Sequence, residues 1–252
     1  MQRIVPTLVA LILVSSVGAV SAEPGTRERT FLHALEVFDS AKVAADYRES
    51  AALLESLLTD GFQNGAVYYN LGNAYFRAGE YGRAIAAYRK AKAFRPRDPY
   101  LEANLSQALS LAPGRLPEPP APWWTHVFFW SAWLSYPEKV YGAFAGFLLA
   151  AVTACAALFL GRSRVYWISA VLVASAAVLC LDSSLANARS RRGVVTSETI
   201  ARKGIGTVYE PAFDQPLKDG AEFTVLSENG DWVFGHFEGI GDGWLRREHT
   251  VL

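Results

Sequence analysis

The distribution of apolar residues along the 252-residue chain is dominated by two long runs without a charged residue, 140–160 and 165–181, separated only by residues 161–164. A hydrocarbon core of about 30 Å requires about 20 helical residues. The two runs therefore predict membrane-spanning helices over 137–161 and 165–184, joined as a helical hairpin. The alternative is a pair of buried helices in a soluble domain, which would carry polar residues on one face. A hairpin places the chain before it and after it on the same side of one membrane.

The N-terminal 22 residues have the pattern of a secretory signal. Arg3 precedes a short apolar run at 8–14, and Ser21 and Ala22 supply small residues where a signal would be cleaved. An uncleaved N-terminal anchor is the alternative interpretation. In both cases the region that follows is exported, and cleavage decides only whether that region is tethered once or twice. The signal and the two spans of the hairpin together predict a two-pass protein of the bacterial inner membrane with both soluble parts in the periplasm.

Helical periodicity dominates the region before the hairpin, and one block within it, 65–98, repeats small and aromatic residues at fixed positions. Small residues allow two antiparallel helices to approach closely, and aromatic residues fill the space between neighbouring pairs. These positions are Tyr68, Leu71, Gly72, Tyr75, Ala84, Tyr88, Ala91 and Pro96. The block resembles a tetratricopeptide repeat.

The flanking sequence extends this resemblance in both directions. Residues 31–64 align with the block as a degenerate copy, and residues 99–111 supply one further helix with Asp98 as its N-cap. The pattern predicts an all-α tetratricopeptide solenoid over residues 23–111.

Solenoids of this family present the first-helix face of each repeat as a concave groove, which implies a binding site for an extended partner segment. Asn73 and Arg77 are the strongest candidates, because an amide and a guanidinium can bind a peptide backbone or a carboxylate. The alternative is that the aromatic residues only pack between repeats. The candidate partner-binding residues are Tyr69, Asn73, Phe76, Arg77, Tyr100 and Gln107.

Two short segments connect the solenoid to the hairpin. Residues 112–122 are proline-rich and predict a semi-rigid linker that forms no helix. Residues 123–136 concentrate tryptophan, phenylalanine and tyrosine, which favour the headgroup layer of a membrane. We therefore expect an interfacial segment immediately before the first span.

Residues 193–252 change to short β-forming runs punctuated by Asp, Asn and Gly turns. The placement of Gly220, Trp232, Gly243 and Trp244 resembles the bacterial SH3 domain, which implies a small all-β barrel. Trp232 and Trp244 either fill the core of that barrel or belong to its surface. The candidate ligand face consists of Tyr209, Trp232 and Trp244.

Charge and cysteine content exclude several classes of function. Residues 23–116 contain twelve Lys and Arg against eleven Asp and Glu, and residues 193–252 contain five against ten. Neither part has the basic surplus that nucleic acid requires. Both cysteines, Cys155 and Cys180, lie within the apolar runs, so the sequence offers no thiol or histidine cluster for a metal, and no cofactor is expected.

The order of these regions, a multidomain membrane protein with repeats, hairpin and SH3-like barrel, resembles the BatE family of bacterial aerotolerance (Bat) operons. The resemblance implies a membrane-anchored, envelope-facing scaffold whose partners are membrane proteins with von Willebrand type A domains.

The leading hypothesis is therefore a non-enzymatic adaptor that binds partner proteins through its repeats. The rival is a cell-wall protein whose SH3-like domain recognises peptidoglycan peptides and whose repeats recruit a wall enzyme. An enzyme is the third hypothesis, but the four histidines are scattered over three segments and no nucleophile–base pair or carboxylate pair stands out.

Overall fold

The computed structural model describes residues 24–59, 62–117, 126, 128–161, 163–189 and 192–252. The predicted signal, residues 118–122 of the proline-rich linker, and residues 123–125 and 127 of the aromatic segment lie outside these residues. Within the described part, the region before the hairpin is a stack of antiparallel helices: α1 (Pro24–Ser40), α2 (Ala44–Leu58), α3 (Gly65–Arg77), α4 (Tyr81–Phe94) and α5 (Pro99–Leu111).

Local signals explain where the central helices begin and end. The Asn64 side chain accepts hydrogen bonds from the backbone N–H groups of Ala66 and Val67, so it caps the start of α3. Gly79 adopts a positive φ of 80° in the turn before α4, a conformation that favours glycine. Asp98 caps α5 in the same way as Asn64 caps α3, and Pro99 occupies the first turn. The starts of α3 and α5 therefore follow from capping chemistry, and the cap at Asp98 is the one that the sequence predicted.

The helices share one apolar core. Tyr88 is fully buried, and its ring fills the space above Gly72, where any side chain would collide with it. Leu71 and Leu101 are 5% and 1% exposed and bring α3 and α5 into the same cluster. This packing explains why the repeat requires a small residue at one position and a large aromatic residue at the other.

Two helices are long and apolar enough to cross a membrane, α7 (Tyr136–Leu160) and α8, whose apolar part is Val165–Ser183. The full extent of α8 is Val165–Arg189, and a short helix, α6 (Phe129–Trp133), precedes α7. Only 17% and 11% of the residues in the most apolar windows of α7 and α8 are buried. Core helices of a soluble domain would be mostly buried, so this exposure argues against that alternative.

α7 and α8 pack against each other through small residues. Ala143, Ala150 and Ala157 of α7 are buried at seven-residue spacing, and Gly146 lies against Ala176 of α8. Seven-residue spacing is typical of helices that cross at a shallow angle.

A buried ion pair closes the end of the hairpin beside α6. Lys139 Nζ lies 2.9 Å from Asp182 Oδ2, and the two side chains are 5% and 13% exposed. The Lys139 ammonium also donates to the carbonyl of Ser131, and the Ser131 hydroxyl donates to Asp182. These contacts join α6, α7 and α8, so the short aromatic helix is fixed to the hairpin.

The C-terminal region is a five-stranded antiparallel sheet in the order β4-β3-β2-β1-β5. The strands are β1 (Arg192–Val195), β2 (Glu222–Asn229), β3 (Trp232–Phe237), β4 (Gly241–Arg246) and β5 (Thr250–Val251). The prediction of a closed barrel is not met, because the sheet is open. β5 has only two paired residues, and the outer edge of β4 is occupied by Arg202, whose backbone exchanges two hydrogen bonds with Trp244.

The sheet packs directly on α4. Val194 of β1 belongs to the buried cluster of the helical stack, and Val251 of β5 packs against that cluster. Arg89 of α4 donates two hydrogen bonds to the carboxylate of Glu222 on β2, at 2.9 and 2.8 Å, and the two side chains are 20% and 18% exposed. The helical stack and the sheet therefore form one body, although the hairpin separates them in sequence.

Glycines and an acidic residue make this close approach possible. A Cβ atom at Gly82 would collide with the side chain of Asp219 and the carbonyl of Val195, and one at Gly220 would collide with Ala112. Gly220 also adopts a φ of 88°. The Asp219 carboxylate accepts from the Gly82 N–H at 3.1 Å in the first turn of α4, whose own N-cap residue makes no capping bond with its side chain. The sheet thus supplies the cap that α4 lacks.

Candidate functional site

The candidate partner-binding residues divide between α3 and α5, which contact each other, whereas the sheet packs on α4. Residues three or four apart on a helix share one face, which aligns Tyr69 with Asn73 and Arg77, and Tyr100 with Asn104 and Gln107. We refer to these six residues as the α3–α5 face.

A hydrogen-bond network connects the two helices at the centre of this face. Asn73 Oδ1 accepts from the hydroxyl of Tyr88 at 2.8 Å and from the amide of Asn104 at 3.0 Å. The Asn104 amide also lies 3.1 Å from the hydroxyl of Tyr69. Burial raises the pKa of Tyr88, so its hydroxyl remains protonated and donates to Asn73. Asn73 is half-buried, and its oxygen is already bound within the protein.

Arg77 is exposed but has intramolecular contacts. Its guanidinium lies 5.4 Å from the ring centre of Tyr47 and donates to the Tyr47 hydroxyl at 3.2 Å. These contacts hold the planar cation against α2 and leave its remaining N–H groups for a ligand. Arg77 is thus positioned in advance on the face.

The other candidates occupy different environments. Tyr100 is 74% exposed and Gln107 is exposed, so both are accessible. Tyr69 is half-buried, beneath the guanidinium of Arg95 at 5.0 Å. Phe76 packs edge-on against Tyr81 in the turn between α3 and α4, with ring centres 5.7 Å apart. Phe76 therefore packs against the start of α4 and is half-buried.

Sequence reasoning missed Asn104 and Arg95. Asn104 lies four residues after Tyr100, so its place on the same helical face could have been inferred. The stacking of Arg95 on Tyr69 could not, because Arg95 follows the end of α4 and its direction depends on the fold.

The second set of candidates lies on the outward side of the sheet. Val233 and Leu245 are fully buried, so the alternating Trp232 and Trp244 point outward, where both are half-buried. Phe234, which sequence reasoning missed, stacks on Trp244 with ring centres 4.9 Å apart. Tyr209 is 50% exposed and is tied to this region by Arg202, whose side chain donates to the Tyr209 carbonyl.

Within the described residues, no group of three or more His, Cys, Asp and Glu side chains is arranged to hold a metal ion. His236 forms a pair with Asp242, at 2.5 Å, on exposed strand positions. Cys155 and Cys180 are both exposed, on α7 and α8.

Comparison with known protein families gives a match to part of the chain. Residues 65–98, which comprise α3, α4 and the following turn, match the tetratricopeptide repeat family. This confirms the repeat that the sequence pattern predicted. Comparison of the chain with curated proteins gave no significant match. Repeats of this family build scaffolds for protein–protein interaction.

Proposed function

We propose that this protein is a membrane-anchored adaptor that holds an extended segment of a partner protein on its α3–α5 face. The observation that carries the proposal is that the two sides of the helical stack differ in what covers them. The sheet covers α4, whereas Arg77, Tyr100 and Gln107 remain accessible on α3 and α5. The accessible groups are amide, guanidinium and phenol, which suit a peptide backbone and its carboxylates.

Anchoring through α7 and α8 is part of this proposal. Large apolar side chains are exposed along both helices, including Phe159 at 92% and Trp167 at 75%. Exposure of so many large apolar side chains to water would be unfavourable. The contact between the helical stack and the sheet supports a hairpin topology, because both parts must then lie on one side of the membrane. The periplasmic side follows from the export signal in residues 1–22.

The finer assignments belong to the same proposal. We assign the sheet region to the SH3-like class on its strand order and on the short 3-10 helix, Arg247–His249, that precedes β5. The order of regions suggests a Bat-type complex, in which the partners are membrane proteins with von Willebrand type A domains.

Site-specific photo-crosslinking in cells tests the adaptor proposal. A photoreactive amino acid in place of Gln107 should give a discrete covalent adduct with a partner protein. The same photoreactive amino acid in place of Ala52, which is exposed on α2, should give no such adduct. Adding Arg77→Ala should weaken the Gln107 adduct about tenfold, since a charged hydrogen bond contributes about 1.5 to 3 kcal/mol. Equal adducts at the two positions would contradict a binding site on this face.

Arg77 is a better test residue than Asn73. Removing the Asn73 side chain would leave the buried Tyr88 hydroxyl without its acceptor, so the variant would also lose stability. A change at Arg77 affects an exposed side chain and separates binding from folding.

Topology is tested separately with alkaline phosphatase fusions. A fusion after Leu252 should be active, and a fusion at Ser163 should be inactive, because only the exported side supports activity of this enzyme. The reverse pattern would contradict periplasmic soluble parts and leave the crosslinking result unaffected.

A second candidate function is recognition of peptidoglycan peptides by the sheet. The outward aromatic pair of Phe234 and Trp244, with Arg202 on the neighbouring backbone, favours it, because such a surface binds flat or anionic groups. Sedimentation of the full protein with purified sacculi, compared with a Trp244→Ala variant, decides between the two. Sedimentation that is lost in the variant would support wall binding.

A further inference from the structure

An apolar cavity of about 440 Å³ lies at one end of the helical stack. Its walls come from the start of α1, the end of α2 and the start of α3, and include Phe31, Leu57, Phe62 and Val67. This volume falls within the range of small-molecule sites, about 300 to 1,000 Å³. The cavity is separate from the α3–α5 face, which lies along the sides of the helices.

The rim of this cavity carries opposite charges on adjacent residues. Arg27 and Glu28, in the first turns of α1, both line the opening. The Arg27 guanidinium lies over the ring of Phe62, 5.0 Å from its centre, so the cation is held at the edge of the apolar walls. A ligand that fits this arrangement has an apolar body and a head with both an anionic and a cationic group.

Two ring contacts connect α3, which supplies part of the cavity wall, to the start of α7. Tyr68, next to the wall residue Val67, stacks on Phe94 with ring centres 6.1 Å apart. Phe94 in turn packs edge-on against Tyr136, the first residue of α7, at 6.0 Å. The end of the stack that contains the cavity is therefore the end nearest to α7.

A second contact fixes the same end of the stack. The guanidinium of Arg97 lies 4.4 Å from the ring centre of Trp133 on α6 and is paired with Glu138 in the first turn of α7. Trp133 and Phe129 are 54% and 63% exposed, as expected of residues in a headgroup layer. The end of the stack that contains the cavity is thus held beside α6 and the start of α7, where the proposed membrane begins.

We infer that this cavity binds one acyl chain of a zwitterionic phospholipid, with the lipid phosphate at Arg27 and its ammonium group at Glu28. The inference rests on the membrane anchoring put forward under Proposed function and adds a ligand to it. The apolar walls contact the acyl chain, and Arg27 and Glu28 contact the headgroup. The contacts of Phe94 and Arg97 hold this end of the stack beside α7, so that a lipid can reach the cavity from the bilayer.

Lipid photo-crosslinking tests the inference on the full protein. The protein is reconstituted into vesicles of phosphatidylethanolamine and phosphatidylglycerol that contain phosphatidylethanolamine with a photoreactive acyl chain, and adducts are mapped by mass spectrometry. We expect adducts on the cavity walls in α1 and α3 as well as on α7 and α8. Adducts on α7 and α8 alone would overturn the cavity site and leave the anchoring intact, whereas adducts on none of the four helices would overturn both.

Cavity-filling and charge-reversal variants make the test specific. Ala66→Phe places a ring in the cavity and should lower cavity adducts roughly fivefold, the effect of about 1 kcal/mol, with adducts on α7 and α8 unchanged. Ala52→Phe, at an exposed helical position, is the matched control. Unchanged cavity adducts in Ala66→Phe would overturn the inference.

The charge-reversal variant keeps the test valid if Ala66→Phe does not fold. Glu28 is exposed, so Glu28→Lys is compatible with the fold. It should weaken cavity labelling by phosphatidylethanolamine and strengthen labelling by a photoreactive phosphatidylglycerol. Equal labelling by both lipids in the unmodified protein and in the variant would overturn the assignment of the headgroup.

Discussion

The outer side of the repeat, formed by α4, and its inner side, the α3–α5 face, differ in what their polar groups contact. On the outer side, Arg89 and the backbone N–H of Gly82 in the first turn of α4 donate to the carboxylates of Glu222 and Asp219. Because Gly82 has no side chain, the sheet can approach α4 closely. On the inner side, Asn73 and Asn104 bond to each other, and exposed groups surround them. The outer side is thus committed to an internal contact, and the inner side remains available for a partner.

The largest expected effect comes from the core that both sides share. Leu71→Ala should lower the free energy of unfolding by about 2 to 5 kcal/mol, because a cavity remains where a buried leucine stood. Leu32→Ala, at a position that is 57% exposed on α1, should change it by less than about 0.5 kcal/mol. Denaturant unfolding of the full protein in mild detergent measures both, and a small effect at Leu71 would argue against a common core.

Breaking the ion pair between α4 and the sheet should have the next largest effect. Glu222→Gln removes the carboxylate that pairs with the mostly buried Arg89 and should cost about 1 to 3 kcal/mol. Glu228 on the same strand provides the control, because its pair with Arg247 is 37% and 54% exposed. Glu228→Gln should cost less than about 1 kcal/mol in the same unfolding measurement. Similar losses in the two variants would mean that docking on α4 contributes little.

Substitution of Gly82 tests the close approach of the sheet to α4, because the expected change in stability has the opposite sign to that of an ordinary Gly→Ala substitution in a helix. In an unencumbered helix Gly→Ala stabilises by about 1 kcal/mol, and Gly25→Ala on α1, where the added atom meets nothing, should do so or be neutral. Gly82→Ala should instead destabilise, by about 1 to 2 kcal/mol, because the methyl group collides with the backbone of β1 and with Asp219. A higher melting temperature for Gly82→Ala would contradict the observed docking.

The smallest effect concerns pH. Burial raises the pKa of Asp219, so its contribution to stability is complete below the pKa of the unfolded chain and is lost as pH rises through the pKa of the folded protein. The unfolding free energy of the unmodified protein should therefore fall relative to that of the Asp219→Asn variant as the pH rises from about 4 to about 7. A shift in the opposite direction would mean that the hydrogen bond from Gly82 outweighs burial.

Local pattern predicted much of the fold. Asn64 and Asp98 cap α3 and α5, and both residue types are favoured at the N-cap position. The repeat around Leu71, Gly72 and Tyr88 was recognisable because its packing depends on residue types at fixed spacing. The candidate site was predictable only in part. Tyr100, Gln107 and Arg77 follow from helical periodicity, but the use of Asn73 inside the network depends on Asn104 of another helix.

The sequence by itself determined the features that depend on neighbours along the chain: the helical repeat, two helices apolar enough to cross a membrane, and short antiparallel strands. Only the tertiary structure decided which distant groups meet. Arg89 and Glu222 are 133 residues apart, and nothing in the spacing of charged residues indicates that they form a pair. The same holds for Lys139 and Asp182 at the end of the hairpin. Periodicity reports which face of an element is apolar, but the partner of a polar group depends on how the elements pack.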